Sequence, residues 1–570
     1  MKAGNIKTAL RMITECSSTG TLPLHSVQPD GRTVKEHLMA KHPARSEPCS
    51  AAILETSNVS EPHPVMFDAI DGTLIRSMVL QTSGSAGPSG LDSSGWRRMC
   101  SSFGTASNDL CSAIAGLTRR ISTNYIDPKG LTSLLASRLI ALDKRPGVRP
   151  IGVGEVLRRI VAKAVLYITN MDILKAAGEH QLCAGHVSGC EAGVHAMTDI
   201  QEDDQTEAVL LVDASNAFNS LNREAAMRNI QSLCPPLAKT VVNTYRNNVP
   251  LFIDGEVIPS QEGTTQGDPL AMCIYAIATI PLIHKLPKCV NHIWYADDAS
   301  AGGKFDNLRS WWNKIQEVGP VFGYFPNAQK SWLLVKKEFL SDATRVFSGS
   351  GVNITTEGES YLGAPLGTTS SKESSIAAKV DHWVKEIDHL AKIAHSQPQS
   401  AYCALTNGLM SRWNYLMRVV PDLGDKLQPI EEALRFKLLP AITGRSNISD
   451  AERRVFALPA RDGGLGIPIP TEAAAEQYRA SRSITEPLVA LCTGQNTEPL
   501  PNIYMAQEEL KGETKKRRRE NQRETSATLK NSMPPTLQKA VELASEKGAS
   551  TWLTTLPIRA HGFSLHKQAF

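Results

Sequence analysis

The chain has 570 residues, of which 41% are apolar and 21% charged. This excludes a small disulfide scaffold or a wholly disordered chain and leaves room for roughly two to four packed units. The formal net charge is only +4, so a nucleic-acid partner would need clustered basic side chains. Eleven cysteines without a Cys-x-x-Cys pair predict reduced thiols and an intracellular location. The longest apolar stretch, 269–283, is shorter than the roughly 20 residues that span a bilayer, which predicts a soluble protein without a membrane partner.

Loops, helices and strands are predicted in turn along the first half of the chain. The Gly/Ser/Pro-rich segment 83–90 predicts a loop. Apolar residues recur at helical spacing over Leu131–Leu142 and again over 156–165, which predicts two helices. The short apolar runs Ala208–Val212 and His292–Ala296 are typical of buried strands.

The second half predicts mainly helices. Beyond about Gly367 the apolar residues form helical stripes. The basic run Lys515–Arg519 lies between polar segments and predicts a flexible, solvated link. Contact with phosphate and a nuclear address are the alternatives for this run.

Aspartates stand where both predicted strands end. Asp213 follows the first strand, and Asp297 and Asp298 follow the second. The small residues after Asp298 predict a returning strand that makes a hairpin. Adjacent carboxylates raise one another's pKa unless a cation compensates. Magnesium prefers oxygen ligands, and two such ions about 3.5 to 4 Å apart are what nucleotidyl transfer requires.

Three motifs in order carry a resemblance to a known family. Leu211–Phe218 resembles the first palm motif of reverse transcriptases, and Tyr295–Asp298 resembles their signature tetrad. Between them, Gly263–Leu270 is similar to the template-positioning motif of the non-LTR retrotransposon and group II intron branch. The order and spacing of the three motifs agree with that family.

Weaker resemblances flank these motifs. Gly147–Lys163 resembles the fingers motif, Gly323–Lys330 the motif after the catalytic hairpin, and Tyr361–Gly363 the primer-grip turn. Leu458–Ile467 resembles a segment found after the thumb of non-LTR retrotransposons. The resemblance implies an α+β right-hand polymerase with fingers, an antiparallel-sheet palm backed by helices, and a helical thumb.

Four domains are expected on this basis. They are an N-terminal extension over 1–84, fingers and palm over 85–370, a helical thumb and post-thumb segment over 371–470, and a helical, basic linker region over 471–570. We recognise no endonuclease, and the ending Gly562–Phe570 resembles a continuing amphipathic segment, so we expect a truncated element.

The resemblance implies metal and catalytic roles for four residues. Asp213 and Asp297 would bind two Mg²⁺ ions, for which Mn²⁺ could substitute. Asp298 would contribute indirectly, and Lys330 would protonate the leaving pyrophosphate.

The resemblance also implies a substrate-binding set. Phe218 would lie under the nucleotide sugar, where a 2′-hydroxyl would clash. Gln266 and Gly267 would lie near the incoming nucleotide and the template base, because glycine lets the backbone approach closely. Arg149 and Lys144 would contact the triphosphate.

The implied activity is RNA-directed DNA polymerisation from a primer 3′-hydroxyl, with an RNA template, a DNA primer and dNTPs as partners. The alternatives are a catalytically inactive relic that only binds nucleic acid and an RNA-dependent RNA polymerase. Zinc is a further alternative for one cluster, Cys183, His186, Cys190 and His195, although its spacing fits no standard zinc finger.

Overall fold

The computed structural model describes residues 20–54, 61–144, 147–558 and 562–565. The described residues divide into two compact units. The first unit comprises the described residues from 20 to 356 and Leu488–Tyr504, and the second comprises Glu357–Pro487 and the described residues from Met505 onward. The four expected domain boundaries stay predictions, and most of the ending 562–570 lies outside the described residues.

A mixed set of helices and strands builds the chain up to residue 356. The α-helices are α1 (Val34–Lys41), α2 (Gly72–Gln81), α3 (Ser93–Ser101), α4 (Thr105–Thr123), α5 (Pro128–Leu135), α6 (Val156–Ala177), α7 (Gly189–Glu202), α8 (Ala217–Ser220), α9 (Arg223–Leu233), α10 (Pro235–Tyr245), α11 (Ala271–Ile283), α12 (Phe305–Val318) and α13 (Leu340–Val346). The strands are β1 (Ser137–Asp143), β2 (Val148–Gly154), β3 (Ala208–Val212), β4 (Val249–Ile253), β5 (Glu256–Ser260), β6 (Asn291–Tyr295), β7 (Asp298–Gly303), β8 (Trp332–Val335) and β9 (Asn353–Thr355).

The central sheet has the strand order β6-β7-β3-β8-β9. Its pairs are antiparallel except β8 and β9, which are parallel. The helices α7 and α12 pack against β7, and the long apolar helix α11 is buried along almost its whole length. Burial on both faces explains why β3 reads as an unbroken apolar run. The predicted strands at 208–212 and 292–296 and the predicted returning strand are confirmed.

A second sheet, ordered β2-β1-β4-β5, lies in the same unit. It corrects the predicted helix over Leu131–Leu142, because α5 ends at Leu135 and Ser137–Asp143 is β1. Buried Leu139 and Ala141 alternate with more exposed neighbours and pair with β2. Pairing with another strand therefore outweighed the helical spacing of the leucines.

Helices dominate beyond residue 357. They are α14 (Thr369–Ala394), α15 (Pro398–Ala404), α16 (Met410–Val419), α17 (Gln428–Ala433), α18 (Leu439–Thr443), α19 (Asp450–Ala457), α20 (Pro470–Cys492), α21 (Leu500–Ser532), α22 (Pro535–Ala544) and α23 (Thr551–Thr554). The hairpin β10 (Gly358–Tyr361) and β11 (Ala364–Gly367) turns at Leu362 and Gly363. The helical pattern predicted beyond Gly367 is confirmed.

The basic run Lys515–Arg519 is solvent-exposed, as predicted, but it is not a flexible link. It lies inside α21, a 33-residue helix. Lysine, arginine and glutamate are good helix formers, and pairs such as Lys511 with Glu508, 2.8 Å apart, add support along the surface. Among the described helices, none combines the length and apolar character needed to cross a bilayer.

Candidate active site

Asp213 lies directly beyond the end of β3. Val212 pairs with Ala299, so antiparallel pairing carries Asp213 to the same sheet edge as the β6–β7 turn. The Asp213 backbone is tied at both ends, because its N–H donates to Ser331 Oγ at 3.3 Å and its carbonyl accepts from the Asn327 N–H at 2.8 Å. The side chain is half-buried.

Asp297 lies in the tight turn between β6 and β7. Tyr295 pairs with Asp298 across this turn, and Ala296 adopts a φ of 56°, which costs energy for any residue other than glycine. The Gln181 side chain holds this conformation from both sides. Its Oε1 accepts from the Ala296 N–H at 2.8 Å, and its Nε2 donates to the Ala296 carbonyl at 3.1 Å.

A second buried side chain supports the same turn. The Tyr324 hydroxyl donates to the Asp297 carbonyl at 3.0 Å. Because Gln181 and Tyr324 are both fully buried, their hydrogen bonds are shielded from water. The turn that carries Asp297 is therefore held in place by the core.

One open cleft of about 400 Å³ collects most of the predicted site residues. Its lining includes Lys144, Arg149, Asp213, Phe218, Gln266, Gly267 and Asp297. Asp298 and Lys330 do not line it. Asp298 is exposed at the start of β7, and Lys330 is exposed on a short turn. That turn follows Asn327, which binds the Asp213 backbone.

Each carboxylate in this region makes ionisation of its neighbours less favourable. Burial, followed by repulsion from Asp213, raises the pKa of Asp297, and Lys144 and Arg149 act in the opposite direction. Although Asp298 is exposed as a residue, partial desolvation of its carboxylate, and then repulsion from Asp297 and Asp213, raise its pKa to about 6. Since Asp298 keeps contact with solvent, water screens part of this effect. A cation beside Asp213 and Asp297 would relieve the repulsion between them. Carboxylate oxygens are ligands that Mg²⁺ prefers.

Phe218 also lines the cleft and is held by its neighbours. It lies on the short helix α8, and its ring centroid is 4.6 Å from that of Tyr275. The Thr264 N–H donates to the Phe218 carbonyl at 2.6 Å. Packing and the backbone contact together fix the position of the Phe218 ring.

The segment Gln266–Asp268 is fixed against β2 and α6. The Gly152 N–H donates to the Gln266 carbonyl at 2.7 Å. Gly267 has a φ of +107°, and a Cβ there would lie 2.4 Å from the Gly152 carbonyl oxygen. Asp268 forms a buried ion pair of 2.5 Å with Arg158. Only glycine fits at 267, because the neighbouring backbone of β2 leaves no room for a Cβ. Its predicted place near the nucleotide stays a prediction.

Residues 142–364 match the family model described as reverse transcriptase (RNA-dependent DNA polymerase). No curated protein matches the chain. The reverse transcriptase domain defined by this match contains every predicted site residue from Lys144 to Lys330. At the family level it supports RNA-directed DNA polymerase activity, a polymerase palm fold, and nucleic-acid and nucleotide substrates.

Sequence reasoning missed three residues at this site. Gln181 and Tyr324 support the Asp297 turn, and Lys41 lines the cleft from outside the reverse transcriptase domain. Gln181 stands just before Cys183, the first residue of the cysteine/histidine cluster for which zinc was an alternative. Within the described ranges no group of three or more His, Cys, Asp or Glu residues could hold a metal ion. This holds for the cysteine/histidine cluster, where His186 Nε2 lies 2.9 Å from the Gly178 carbonyl, and also for the three aspartates. Mg²⁺, however, is commonly held by one or two carboxylates together with water and substrate phosphates.

Proposed function

We propose that this chain extends a primer 3′-hydroxyl with dNTPs on an RNA template by a two-metal mechanism, and that it derives from a retrotransposon of the non-LTR type. The observation that carries the proposal is the convergence of Asp213, Asp297, Phe218, Gln266 and Arg149 on one cleft. These residues come from separate elements of the fold, and their convergence is what a nucleotidyl-transfer site needs.

Asp213 and Asp297 would hold two Mg²⁺ ions. When bound, these ions would lower the pKa of the primer hydroxyl and stabilise charge on the triphosphate. The tethered backbones of both aspartates keep their carboxylates at the same sheet edge. Asp298 would act indirectly, through its charge beside Asp297.

The other cleft residues would bind and select the nucleotide. Arg149 and Lys144 are exposed at the cleft and would contact the triphosphate through charge-assisted hydrogen bonds. Phe218, fixed by Tyr275, would exclude a ribose 2′-hydroxyl by steric contact. Gln266 would position the template base, and Lys330 would donate a proton to pyrophosphate.

The proposed non-LTR origin is supported by sequence resemblance. Gly263–Leu270 and Leu458–Ile467 both resemble segments of that branch.

The direct test is primer extension by the purified full chain on an RNA template with Mg²⁺. We expect template-directed incorporation of dNTPs and little incorporation of NTPs. Preferential incorporation of NTPs would replace the proposal with an RNA-dependent RNA polymerase. Binding of the template–primer without any extension, in Mg²⁺ and in Mn²⁺, would replace it with a binding-only relic.

A further inference from the structure

Lys41 reaches the cleft from a segment that lies well before the reverse transcriptase domain. It is the last residue of α1 and lines the cleft together with Lys144, Arg149, Asp213 and Asp297. The family match begins only at residue 142. The cleft is therefore incomplete without residues of the N-terminal segment.

The backbone of Lys41 is fixed to the turn that carries the site residues. Asn216 lies between Asp213 and Phe218, and its Nδ2 donates to the Lys41 carbonyl at 3.0 Å and to Ser220 Oγ at 3.1 Å. A movement of α1 relative to this turn would break the first of these bonds. The backbone of Lys41 is thus held at the segment that joins Asp213 to Phe218, and both of those residues line the cleft.

The helix itself is also well anchored. A capping box formed by Thr33 and Glu36 closes its N-terminus. Val34 and Leu38 are fully buried on its inner face. The end of α1 is therefore a rigid support for the lysine.

The surroundings of Lys41 are those of an anion-binding cation. The side chain is half-buried, and burial, followed by repulsion from Lys144, Lys330 and Arg149, lowers its pKa. In the part of the chain that the structure describes, no carboxylate forms an ion pair with Lys41. Asp213 and Asp297 line the same cleft, but if they hold Mg²⁺ as proposed, the positive charge of Lys41, Lys144 and Arg149 is left for an anion of several charges to balance.

We propose that Lys41 is a phosphate-binding residue of the nucleotide site and contacts the triphosphate of the incoming nucleotide with Lys144 and Arg149. This inference rests on the proposed function, because the triphosphate is the polyanion which that reaction brings to this cleft. A lysine provides a compact point charge suited to phosphate. The N-terminal segment would then be part of the nucleotide site.

The test measures nucleotide affinity under conditions in which no nucleotide can be added to the primer. Equilibrium binding of radiolabelled dTTP is measured on the full chain in complex with an RNA template and a dideoxy-terminated DNA primer, in Mg²⁺. We expect Lys41→Met to weaken dTTP binding about tenfold, equivalent to about 1.4 kcal/mol. Lys41→Arg keeps the charge and should remain near wild type.

Lys35→Met is the matched control. Lys35 lies on the same helix, but its Nζ pairs with Glu256 at 2.7 Å and it does not line the cleft, so dTTP affinity should not change. Thermal unfolding of each variant shows whether the fold is intact.

The outcomes separate this inference from the proposed function. Equal dTTP affinity in wild type and Lys41→Met overturns the inference, even if the protein extends primers. Absence of dTTP binding in wild type overturns both proposals. Weaker binding only in Lys41→Met supports the inference, even if an unblocked primer is not extended, in which case the polymerase proposal alone fails.

Discussion

Gly267→Ala tests whether the contact between the Gln266–Asp268 segment and β2 positions the nucleotide site. Gly267 has a φ of +107°, and an added Cβ would lie 2.4 Å from the Gly152 carbonyl oxygen. That oxygen belongs to the backbone of β2, which is paired with β1, so it cannot move aside as a flexible side chain could. The segment itself must shift, and Gln266 would shift with it.

The expected loss of stability follows from two terms. An alanine in this backbone region costs about 1–3 kcal/mol of strain, and forcing an extra methyl into a packed site costs about 1–3 kcal/mol, so we expect about 4 kcal/mol in total. The matched control is Gly255→Ala, where φ is +81° but no atom lies within 4 Å of the added Cβ. Strain alone should cost about 1–2 kcal/mol there.

Thermal unfolding and steady-state kinetics together decide the question. For a unit of roughly 350 residues the unfolding entropy is about 0.7 kcal/mol/K, so Tm should fall by about 6 °C for Gly267→Ala and about 2 °C for Gly255→Ala. Only Gly267→Ala should also raise the KM for dNTP. Equal Tm losses in the two variants, with unchanged KM, would refute the reasoning.

Three further predictions concern the Asp297 turn, the core and the sugar. Gln181→Met should lower the free energy of unfolding by about 2–4 kcal/mol and reduce kcat, because two buried backbone groups of Ala296 lose their partner. Denaturation measures the first effect, and primer extension measures the second. Burial, and then repulsion from His180, lowers the pKa of His292 in the folded protein to about 3. In the unfolded chain this histidine has its ordinary pKa of about 6.5, so below that pH the unfolded chain binds more protons than the folded protein. The free energy of unfolding should therefore fall as the pH drops from about 6.5. His292→Phe should flatten the plot of unfolding free energy against pH between about 6.5 and 4. Phe218→Val should lower the ratio of kcat/KM for dNTP over that for NTP, because ribose is no longer excluded.

Each of these three predictions has a result that would contradict it. An unchanged free energy of unfolding in Gln181→Met would show that the Ala296 turn does not depend on these hydrogen bonds. An unchanged pH slope in His292→Phe would show that the group titrating in this window lies elsewhere. For Phe218→Val, the kcat/KM ratio divides out any loss of active fraction, and an unchanged ratio would assign the residue to packing alone.

The two strands and their aspartates could be predicted because their signals are local. An apolar run of five residues ending at Asp213 or near Asp297 predicts a buried strand whatever surrounds it. The turn at Gly267 could be predicted for the same reason, because glycine readily adopts backbone conformations that are strained for other residues. Their meeting in one cleft depends on the order β6-β7-β3, which the resemblance implied and the residues alone did not.

The remaining parts depend on contacts between distant segments. Ser137–Asp143 has helical leucine spacing but becomes a strand because β2 and β4 pair with it. Gln181 reaches Ala296 and Lys41 reaches Asn216 across long stretches of chain, and neither residue has a pattern around it that predicts such a contact. Lys41 is a single lysine at a helix end, for which an ordinary solvated position is the default interpretation.

The central claim is that Asp213 and Asp297 hold the catalytic metal ions. The measurement that tests it most directly is Mg²⁺-dependent, single-turnover addition of one dNTP to a DNA primer on RNA, compared among wild type, Asp297→Asn and Asp109→Asn. Asp109 is exposed on α4, so its variant changes the net charge equally but far from the cleft residues in sequence. We expect a rate more than about a hundredfold lower in Asp297→Asn, with template–primer binding retained and Asp109→Asn at the wild-type rate. A wild-type Mg²⁺-dependent rate in Asp297→Asn would contradict it.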